Sequence, residues 1–494
     1  MGPMSSGVLL VLPLWIVAPA IIGALMLLPG RRMPRLLPLL GVAVNWVLLL
    51  LLGRFALSDQ PAVVALGNWA SPLGIGLRLD VLAFLFLVMT SLVASAVALY
   101  AKADAMPERP RRIFWSLLFL LWAGLNGVFL SHDLFNLYVV LEIASLSGVA
   151  LIACGDGDAE ALVAQMRYLL FATFGSLCYL FGVALLYAEF GVLDLALVAE
   201  SLDVGPASIA ALILITLGLL LKAAIWPLHF WLPSAHASAP TAVSALLSAL
   251  AVKAPLYLLL RFWFEVFPVI PSSAAWALPG VFGAIAVLWG SFLALRQVRL
   301  KLMIAYSTVA QLGYMLFVFP LAMPGSPVAV QAWQGGLLQI LSHGLAKAAM
   351  FLSAGAIMSA LGGDRLQDMA GATRRVPLPL FALALAGLSI MALPLSGGFL
   401  AKWLILGAAI AVEMWWIVAV LLIGGLLSAA YLLRFLIPAF SPRQYGETAA
   451  AGGGGVKGAA AMSLALLSLL LGIASEPVLR LLALAVPPLP EGMG

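Results

Sequence analysis

The chain is dominated by continuous apolar runs, most of them roughly twenty residues or longer. An α-helix needs about twenty apolar residues to cross the hydrocarbon core of a bilayer. Lipid offers the backbone no hydrogen bonds, so only helices or a closed barrel can span it. The runs do not alternate between apolar and polar residues as barrel strands do. They therefore predict an all-α polytopic membrane protein.

The limits of these runs predict fourteen transmembrane helices. They fall near 8–29, 36–57, 80–101, 112–131, 133–154, 161–190, 208–228, 241–264, 275–296, 301–322, 330–360, 378–410, 415–437 and 459–475. The run 378–410 is too long for one crossing and contains Pro394, Gly397 and Gly398, which predict a broken helix. A second broken helix is expected where Pro227, Pro233 and Pro240 interrupt helical hydrogen bonding.

Composition excludes the main soluble classes. Hydrophobic residues make up 64% of the chain and charged residues 9%, whereas soluble domains carry about a quarter charged residues. The two cysteines, Cys154 and Cys178, are too few for a disulfide framework or a metal site. There is no HxxxH pair and no cofactor motif, so we expect neither metal nor cofactor. Because the basic residues lie in short loops, they do not indicate nucleic-acid binding.

The distribution of basic residues between alternate loops predicts the orientation. One set of loops is rich in Lys and Arg: Arg31, Arg32, Arg35, Lys102, Arg109, Arg111, Arg112, Arg296, Arg299, Lys301, Arg365, Arg374, Arg375, Arg443 and Lys457. Such loops are cytoplasmic in membrane proteins. We therefore expect a multi-pass protein of the inner (plasma) membrane with both termini outside. The stretch 441–458 is interpreted as a flexible linker, and 58–79 as an external loop with turn residues Pro72, Gly74 and Gly76.

Five charged residues fall near the middle of predicted spans: Glu142, Lys222, Lys253, Lys347 and Lys402. Charges inside the bilayer are costly and indicate function by default. Buried ion pairs that fix helix register are the structural alternative, but a single acid leaves three lysines without a partner. Desolvation favours the neutral amine and a nearby carboxylate favours the ammonium. Lysines balanced between these influences can exchange protons, which predicts a proton-conduction pathway.

The histidines add further candidates. His343 and Lys347 stand four apart and share one helix face, so they can exchange a proton directly or through water. His229 and His236 flank a helix break and are candidates for proton access, although capping of broken helix ends would also explain them. His132 stands beside Asp133 at a span end and is expected at the surface.

The two breaks indicate an internal repeat. Lys222 and Lys402 are 180 residues apart, each on an interrupted span. Interrupted helices often line the transport path of inverted-repeat transporters. We expect an N-terminal three-helix segment (1–111), two five-helix units (112–264 and 275–437) and a linker with a C-terminal helix (438–494). An odd number of helices per unit makes the two units inverted repeats.

Several motifs resemble a known superfamily. They are 133-DLFNLYVVLE-142, 218-GLLLKAAIWPLHFWLP-233, 236-HASAPTAVSALL-247 with Lys253, 306-YSTVAQLGY-314, 342-SHGLAKAAMFLSAG-355 and 394-PLSGGFLAKW-403. Together they resemble the proton-translocating, antiporter-like membrane subunits of respiratory complex I and its relatives. Within that superfamily the chain most resembles the D subunit of Mrp-type multisubunit cation/proton antiporters, chiefly in the phrase ending at Glu142.

The resemblance implies roles for the matching residues. Glu142 would be the acid partner of Lys222, and Lys253 the central site. His343 and Lys347 would join that site to Lys402, the terminal one. The chain departs from the pattern at Ser248, where relatives often have histidine, and at Ala254 and Pro255, which follow Lys253.

The resemblance also implies the assembly. Partners would be other membrane subunits, with lipid, protons and a monovalent cation such as Na⁺ as further ligands. The function implied is proton conduction in a Na⁺/H⁺ antiporter. A proton-pumping arm of NADH:quinone oxidoreductase or of a membrane hydrogenase is the first alternative, and an inactive scaffold is the second. The sequence contains no oxygen-rich cage from which the cation or its site can be identified.

Overall fold

The computed structural model describes residues 6–28, 36–58, 60–103, 108–155, 159–269, 272–441 and 455–487. Helices account for most of these residues, and two short strands, β1 Ala62–Ala65 and β2 Gly76–Leu79, form the sheet. The predicted linker 441–458, apart from its ends, and Arg31, Arg32, Arg35 and Arg443 lie outside the described residues.

The helices follow the apolar runs closely. They are α1 Ser6–Leu27, α2 Leu37–Ala56, α3 Val81–Lys102, α4 Glu108–Leu130, α5 Leu134–Ile152, α6 Ala159–Phe190, α7 Leu195–Ser201, α8 Pro206–Lys222, α9 Trp231–Ser238, α10 Thr241–Leu246, α11 Lys253–Arg261, α12 Ser273–Arg296, α13 Leu300–Met315, α14 Val318–Leu321, α15 Ala329–Leu361, α16 Ala372–Arg375, α17 Pro377–Met391, α18 Gly397–Ala411, α19 Trp415–Phe440, α20 Gly455–Ile473 and α21 Ser475–Ala483. Two π-helical turns, Leu247–Ala251 and Phe262–Val266, join α10 and α11 into one helical span and extend it.

The crossings agree with the predicted spans. Within the described residues, eleven helices of at least 18 residues are apolar enough to cross a membrane. Four shorter apolar helices, Val11–Leu27, Pro206–Lys222, Pro377–Met391 and Gly397–Ala411, supply the others. With α17 and α18 as two halves of one crossing, these elements account for the fourteen predicted spans. The prediction of an all-α polytopic membrane protein is therefore confirmed.

Short polar side chains set where several helices begin. Asp80 precedes α3 and accepts from the Ala83 N–H at 2.9 Å. Asp133 caps α5 through the Asn136 N–H at 2.7 Å, and Ser396 caps α18 through the Phe399 N–H at 3.2 Å. Such caps satisfy amide groups that have no partner inside the helix. They fix the start of two helices, α5 and α18, that carry candidate site residues.

Both predicted breaks are present, but not every predicted breaker interrupts a helix. Residues 223–230, which include Pro227, separate α8 from α9, and residues 392–396, which include Pro394, separate α17 from α18. Pro233 instead lies in the first turn of α9, where a missing N–H costs little.

The remaining predicted breakers lie at helix starts. Pro240 precedes α10, and Gly397 and Gly398 are the first residues of α18. A Cβ on Gly398 would lie 2.0 Å from the Ser389 carbonyl oxygen, so glycine permits the close approach of the two halves.

Alternate loops lie on opposite sides of the bundle, and loops on the same side contact each other. On one side, the β1–β2 hairpin joins the loops before α5 and α7, through bridges from Leu77 to Ser131 and from Asp133 to Asp194. We call this side the hairpin face. On the other side, which we call the basic face, Arg299 and Arg365 form a bridge. The segment 58–79, predicted as a loop, therefore contains an antiparallel hairpin with Ala62 opposite Leu79.

The long helix α15 lies at the centre of the second half of the chain. It packs against α3, α10, α13, α17, α18 and α20. Nearly every residue from Ala332 to Ile357 is buried, including His343 and Lys347. A helix that is surrounded by protein rather than lipid can carry polar side chains across the membrane.

Candidate functional site

The buried Lys222 forms an ion pair with the partly buried Glu142. Glu142 lies in the middle of α5, and Lys222 is the last residue of α8, beside the first helix break. The Lys222 Nζ lies 3.0 Å from the Glu142 Oε1 and donates to the Ser145 Oγ at 2.8 Å. Ser176 on α6 donates a further hydrogen bond to the same carboxylate oxygen. The predicted pairing of these two residues is thus present, with two serines completing it.

The surroundings of the pair hold Lys222 in position. The Trp231 indole N–H donates to the Leu221 carbonyl at 3.0 Å, which satisfies an acceptor at the broken end of α8. The Trp231 ring stacks on Tyr168, with centroids 4.2 Å apart. Gly175 and Gly218 bring α6 and α8 into backbone contact beside the lysine. The break is therefore closed by packing and does not leave open backbone in the membrane.

A small cavity extends from Lys222 towards the second lysine-bearing span. Its volume is about 10 Å³, which is room for about one water molecule. It is lined by Leu141, Ala144, Ser145, Tyr168, Lys222, Ala251, Ala254 and Pro255. The last three residues flank Lys253 in sequence, so a water here would lie between the ion pair and that lysine's helix.

Lys253 is fully buried and follows a π-helical turn. Its Nζ donates to the Ser248 carbonyl, and the Ser248 hydroxyl pairs with the Thr308 hydroxyl at 2.9 Å. π-Helical turns are rare and occur frequently at functional sites because they free backbone acceptors. Here the freed carbonyl serves as the partner of the ammonium group.

Lys347 and His343 lie four residues apart on α15, as predicted. The Lys347 Nζ donates to the Ile304 carbonyl at 3.0 Å and to the Ser307 hydroxyl, both on α13. Both ring nitrogens of His343 are buried without a protein hydrogen-bond partner in the described part of the chain. An imidazole in this state is open to hydrogen bonding by water or by a transferred proton.

Lys402 lies in the second turn of α18. Its Nζ donates to the Ile390 carbonyl, at the end of α17, at 3.0 Å. The same atom lies 4.3 Å from the centroid of the Tyr314 ring. Among the ion pairs of the described residues, Lys222 is the only one of the four lysines with a carboxylate partner. Lys253, Lys347 and Lys402 are held by neutral groups.

The structure brings most of the predicted residues into one cluster. The helix of His343 and Lys347, α15, packs against α18, which carries Lys402, and against the π-helical turn that precedes Lys253. The Glu142–Lys222 pair stands to one side, beyond the small cavity. The described residues contain no group of three His, Cys, Asp or Glu side chains that could hold a metal ion.

The two access histidines differ in setting. His236 is fully buried with both ring nitrogens unpartnered, and it stacks on Phe351 with centroids 4.6 Å apart. The charge of Lys301, followed by those of Lys347 and Lys253, acts on it, so it borders both Lys301 and the lysine cluster. His229 lies in the first break and is 8% exposed, with an unpartnered Nδ1.

A second charged cluster lies at the hairpin face, and the sequence analysis did not find it. Arg261 contacts Asp80 at 2.6 Å and also pairs with Glu265, while Arg78 contacts both acids at 3.0 Å. The Arg261 Nε donates to the Tyr257 hydroxyl at 3.0 Å. Tyr257, Arg261 and Glu265 repeat every four residues from Lys253, a helical spacing that could have revealed the cluster.

The charges of this cluster shift the pKa of two groups in the loops, Asp80 and His132. Burial alone would raise the pKa of Asp80, but the charge and hydrogen bond of Arg261 and the charge of Arg78 outweigh it and lower the pKa to about 2. Burial and the charge of Arg78 lower the pKa of His132 to about 4. His132 is only 8% exposed, so its prediction as a surface residue is wrong. The hairpin lies against His132, whose backbone N–H donates a hydrogen bond to the Gly76 carbonyl.

The chain is similar to membrane subunits of two kinds of complex. It is 38% identical over 387 residues to the N subunit of NADH-quinone oxidoreductase from Desulforudis audaxviator, covering 77% of this chain and 76% of that protein. It is 29% identical over 480 residues to the D subunit of the Na(+)/H(+) antiporter from Alkalihalophilus pseudofirmus, covering 96% and 95%. Its fold matches a chain of the Mrp complex from Dietzia sp. DQ12-45-1b, with a TM-score of 0.87, 24% identity and 97% of each chain covered.

Residues 131–428 match the family described as NADH:quinone oxidoreductase/Mrp antiporter, TM. This range covers more than half of the chain and includes every residue of the lysine cluster and the ion pair. The resemblance predicted from the motifs is therefore confirmed. The chain belongs to the NADH:quinone oxidoreductase/Mrp antiporter transmembrane family and is a multi-pass, proton-translocating membrane subunit.

Proposed function

We propose that the chain is the proton-conducting membrane subunit of a multisubunit monovalent cation/proton antiporter, with Na⁺ as the exchanged cation. Protons would pass along Lys222, Lys253, Lys347 and Lys402, with His343 between the last three. The observation that carries the proposal is that three buried lysines have no acidic partner among the described residues while the first has one. A structural role alone would pair each charge, because an unpaired ammonium in the membrane is costly.

The Glu142–Lys222 pair would gate this pathway. When the pair is closed, the carboxylate holds the proton of Lys222. When Glu142 is drawn away or neutralised, Lys222 loses that stabilisation and can pass its proton through water in the adjoining cavity towards Lys253. Each transfer changes the charge felt by the next lysine, since these groups lie in a low-dielectric interior where charges interact strongly.

The antiporter assignment rests on the extent of the similarity. The D subunit of an Na(+)/H(+) antiporter aligns along nearly the whole of both chains. The N subunit of a quinone oxidoreductase aligns over about three quarters of each, although at higher identity. End-to-end alignment favours the antiporter. Other membrane subunits of such an assembly are the proposed partners.

The predicted orientation and domain division complete the proposal. The positive-inside rule makes the basic face cytoplasmic and places both termini outside. The units 112–264 and 275–437 would be inverted repeats, each with its broken helix fourth in order. The parallel positions of α8–α9 and α17–α18 support this division. A reporter fused after Gly494 that is active only outside the cell would test the orientation.

Replacement of Glu142 in the assembled complex tests the gate. Glu142→Gln keeps the shape of the side chain but removes its charge, and we expect loss of cation-driven proton exchange in everted vesicles. Glu476→Gln is the matched control, because Glu476 pairs with Arg480 four residues away on an exposed surface. Unchanged exchange in Glu142→Gln, with assembly intact, would remove the pair from the mechanism.

The alternative function is proton pumping in a quinone oxidoreductase, which the 38% identical relative favours. The same pathway would then be driven by electron transfer in another subunit. Purified complex in liposomes distinguishes the two. An imposed Na⁺ gradient that moves protons without an electron donor supports antiport, and proton movement only on addition of a reductant and quinone supports the alternative.

A further inference from the structure

Lys402 is the buried lysine whose ammonium group lies over an aromatic ring. Its Nζ lies 4.3 Å from the Tyr314 centroid, within the distance at which a ring attracts a cation. Its only hydrogen bond to a described residue is to the Ile390 carbonyl. Both side chains are buried, with Lys402 7% exposed and Tyr314 fully enclosed. Cation–π attraction is strongest in such desolvated sites.

The helices packed against α18 offer no carboxylate to compete with this ring. The titratable or charged side chains on α15 and α19 are His343, Lys347, Tyr431 and Arg434, and Tyr314 comes from α13. Arg434 is exposed and donates to the Leu295 carbonyl. The helices α14 and α17 contain no charged residue, and the lysine of α20, Lys457, contacts Tyr100 instead. Tyr314 therefore supplies the main electrostatic stabilisation of the ammonium group by a side chain.

A glycine on α19 holds the Tyr314 ring in this position. A Cβ on Gly424 would lie 2.2 Å from the Tyr314 hydroxyl oxygen and 2.4 Å from the Val287 Cγ1, so it would force both the ring and Val287 to move. The next residue, Gly425, has nothing within 4 Å of such a Cβ. Phe317, which lies between α13 and α14, meets the Tyr314 ring edge-on with centroids 6.1 Å apart. Gly424 and Phe317 therefore pack against the ring that faces the lysine.

In the proposed repeat, Tyr314 lies on the helix that corresponds to the helix of Glu142, although nearer to the end of it. Glu142 lies on α5, the second helix of the first proposed five-helix unit, and faces the lysine of that unit's broken helix. Tyr314 lies on α13, the second helix of the second unit, and faces the lysine of the other broken helix. One lysine therefore has an anion as its partner, and the other has a neutral ring.

We propose that Tyr314 is the positioning residue of Lys402, stabilising its ammonium form through the ring face in place of a carboxylate. This inference rests on the proposed function and concerns the lysine from which the proton leaves the pathway. Loss of a proton from Lys222 leaves the partly buried Glu142 anion without its partner. Loss of a proton from Lys402 leaves two neutral groups. Lys402, the last lysine of the proposed pathway, can therefore release a proton without leaving a carboxylate unpaired, a property that it shares with Lys253 and Lys347 but not with Lys222.

Two substitutions of Tyr314 distinguish the effect of the aromatic ring from the effect of the hydroxyl group. Tyr314→Phe keeps the aromatic face, and we expect the wild-type pH profile of proton exchange in the assembled complex. Tyr314→Met keeps the volume but removes the face. We expect the alkaline limb of its profile to move by about one pH unit to lower pH, because the ammonium form of Lys402 loses the ring's attraction. Tyr187→Met, at an exposed position on α6, is the control and should leave the profile unchanged.

Gly424→Ala displaces the ring without changing it and should reproduce the Tyr314→Met profile, whereas Gly425→Ala should not. Assembly of each variant is checked by co-purification of the partner subunits. If Tyr314→Met and Gly424→Ala assemble and keep the wild-type profile, the inference is overturned. If Tyr314→Phe behaves like Tyr314→Met, the hydroxyl and not the ring acts, which also overturns it. Unchanged exchange in Glu142→Gln would instead overturn the proposed function, so the two failures are distinguishable.

Discussion

The Arg261 guanidinium lies 2.6 Å from the Asp80 carboxylate, although the two residues are 181 positions apart. Asp80 ends the hairpin segment and caps α3, while Arg261 ends α11, the helix that begins with Lys253. The contact therefore fastens the N-terminal three-helix segment to the hairpin-face end of a lysine-bearing span. Glu265 and Arg78 complete a four-residue network around it.

Removal of the Asp80 charge should weaken this connection. In Asp80→Asn, Arg261 stays buried but loses one of two acidic partners, and a hydrogen bond to a charged group contributes about 2 kcal/mol. We expect a lower thermal unfolding temperature in detergent, with Glu476→Gln as an exposed control that changes it little. Equal unfolding temperatures for Asp80→Asn and wild type would show that Glu265 and Arg78 hold the network alone.

The contribution of Asp80 should depend on pH in a defined direction. The pKa of Asp80 is about 2 in the folded chain, below its ordinary value, so the folded state binds this proton less tightly than the unfolded state. Asp80 therefore stabilises the fold above about pH 4, and this stabilisation is lost as the pH falls towards 2. The difference in unfolding temperature between wild type and Asp80→Asn should shrink between pH 5 and pH 3. A constant difference would contradict this assignment.

His132 should change stability in the same direction as Asp80, but over a higher pH range. Burial and the charge of Arg78 lower its pKa to about 4, so the unfolded chain binds a proton more readily than the folded one between about pH 4 and 6.5. Stability should rise with pH across that window. Comparison of unfolding temperatures at pH 5 and pH 7 should show a smaller rise in His132→Asn than in wild type. Above pH 7 the two proteins should have pH profiles of exchange of the same shape.

The contact between α6 and α8 should tolerate no added methyl group. A Cβ on Gly218 would lie 2.4 Å from the Gly175 carbonyl oxygen, and neither backbone can move independently of its helix. Gly218→Ala should separate the helices, displace Lys222 from Glu142 and destabilise the protein by about 1–3 kcal/mol. Gly425→Ala, on an open part of α19, is the matched control. Normal exchange and stability in Gly218→Ala would mean that the pair does not depend on this contact.

The sequence predicted the helices well because span length is set by the bilayer. The limits of α5, α12 and α20 agree with the apolar runs to within a few residues, since a hydrophobic run and a crossing have the same physical length. The hairpin at 62–79 was predicted as a loop because its strands are four residues each and their pairing is stabilised partly by contact with distant loops. Such contacts leave no local pattern.

The charged site residues could also be predicted, because a charge in an apolar run is conspicuous. Their neutral partners could not. Ser176 and Tyr314 lie on helices other than those of the lysines they serve, and serine and tyrosine are common in spans as packing residues. Only the three-dimensional arrangement distinguishes Ser176, which donates to Glu142, from serines that bond within their own helix.

Ser176 should therefore affect exchange more than other buried serines. Ser176→Ala removes a hydrogen bond to the Glu142 carboxylate while the carboxylate remains, and loss of such a charge-assisted bond is worth about 1.5–3 kcal/mol. Because Glu142 would then depend on Lys222 alone, we expect the pair to open less readily and the exchange rate to fall by about tenfold with assembly intact. Ser463→Ala is the control, since Ser463 donates only to the Ala460 carbonyl within α20. Equal rates in the two variants, measured in the same vesicles, would show that Ser176 takes no part in the gate.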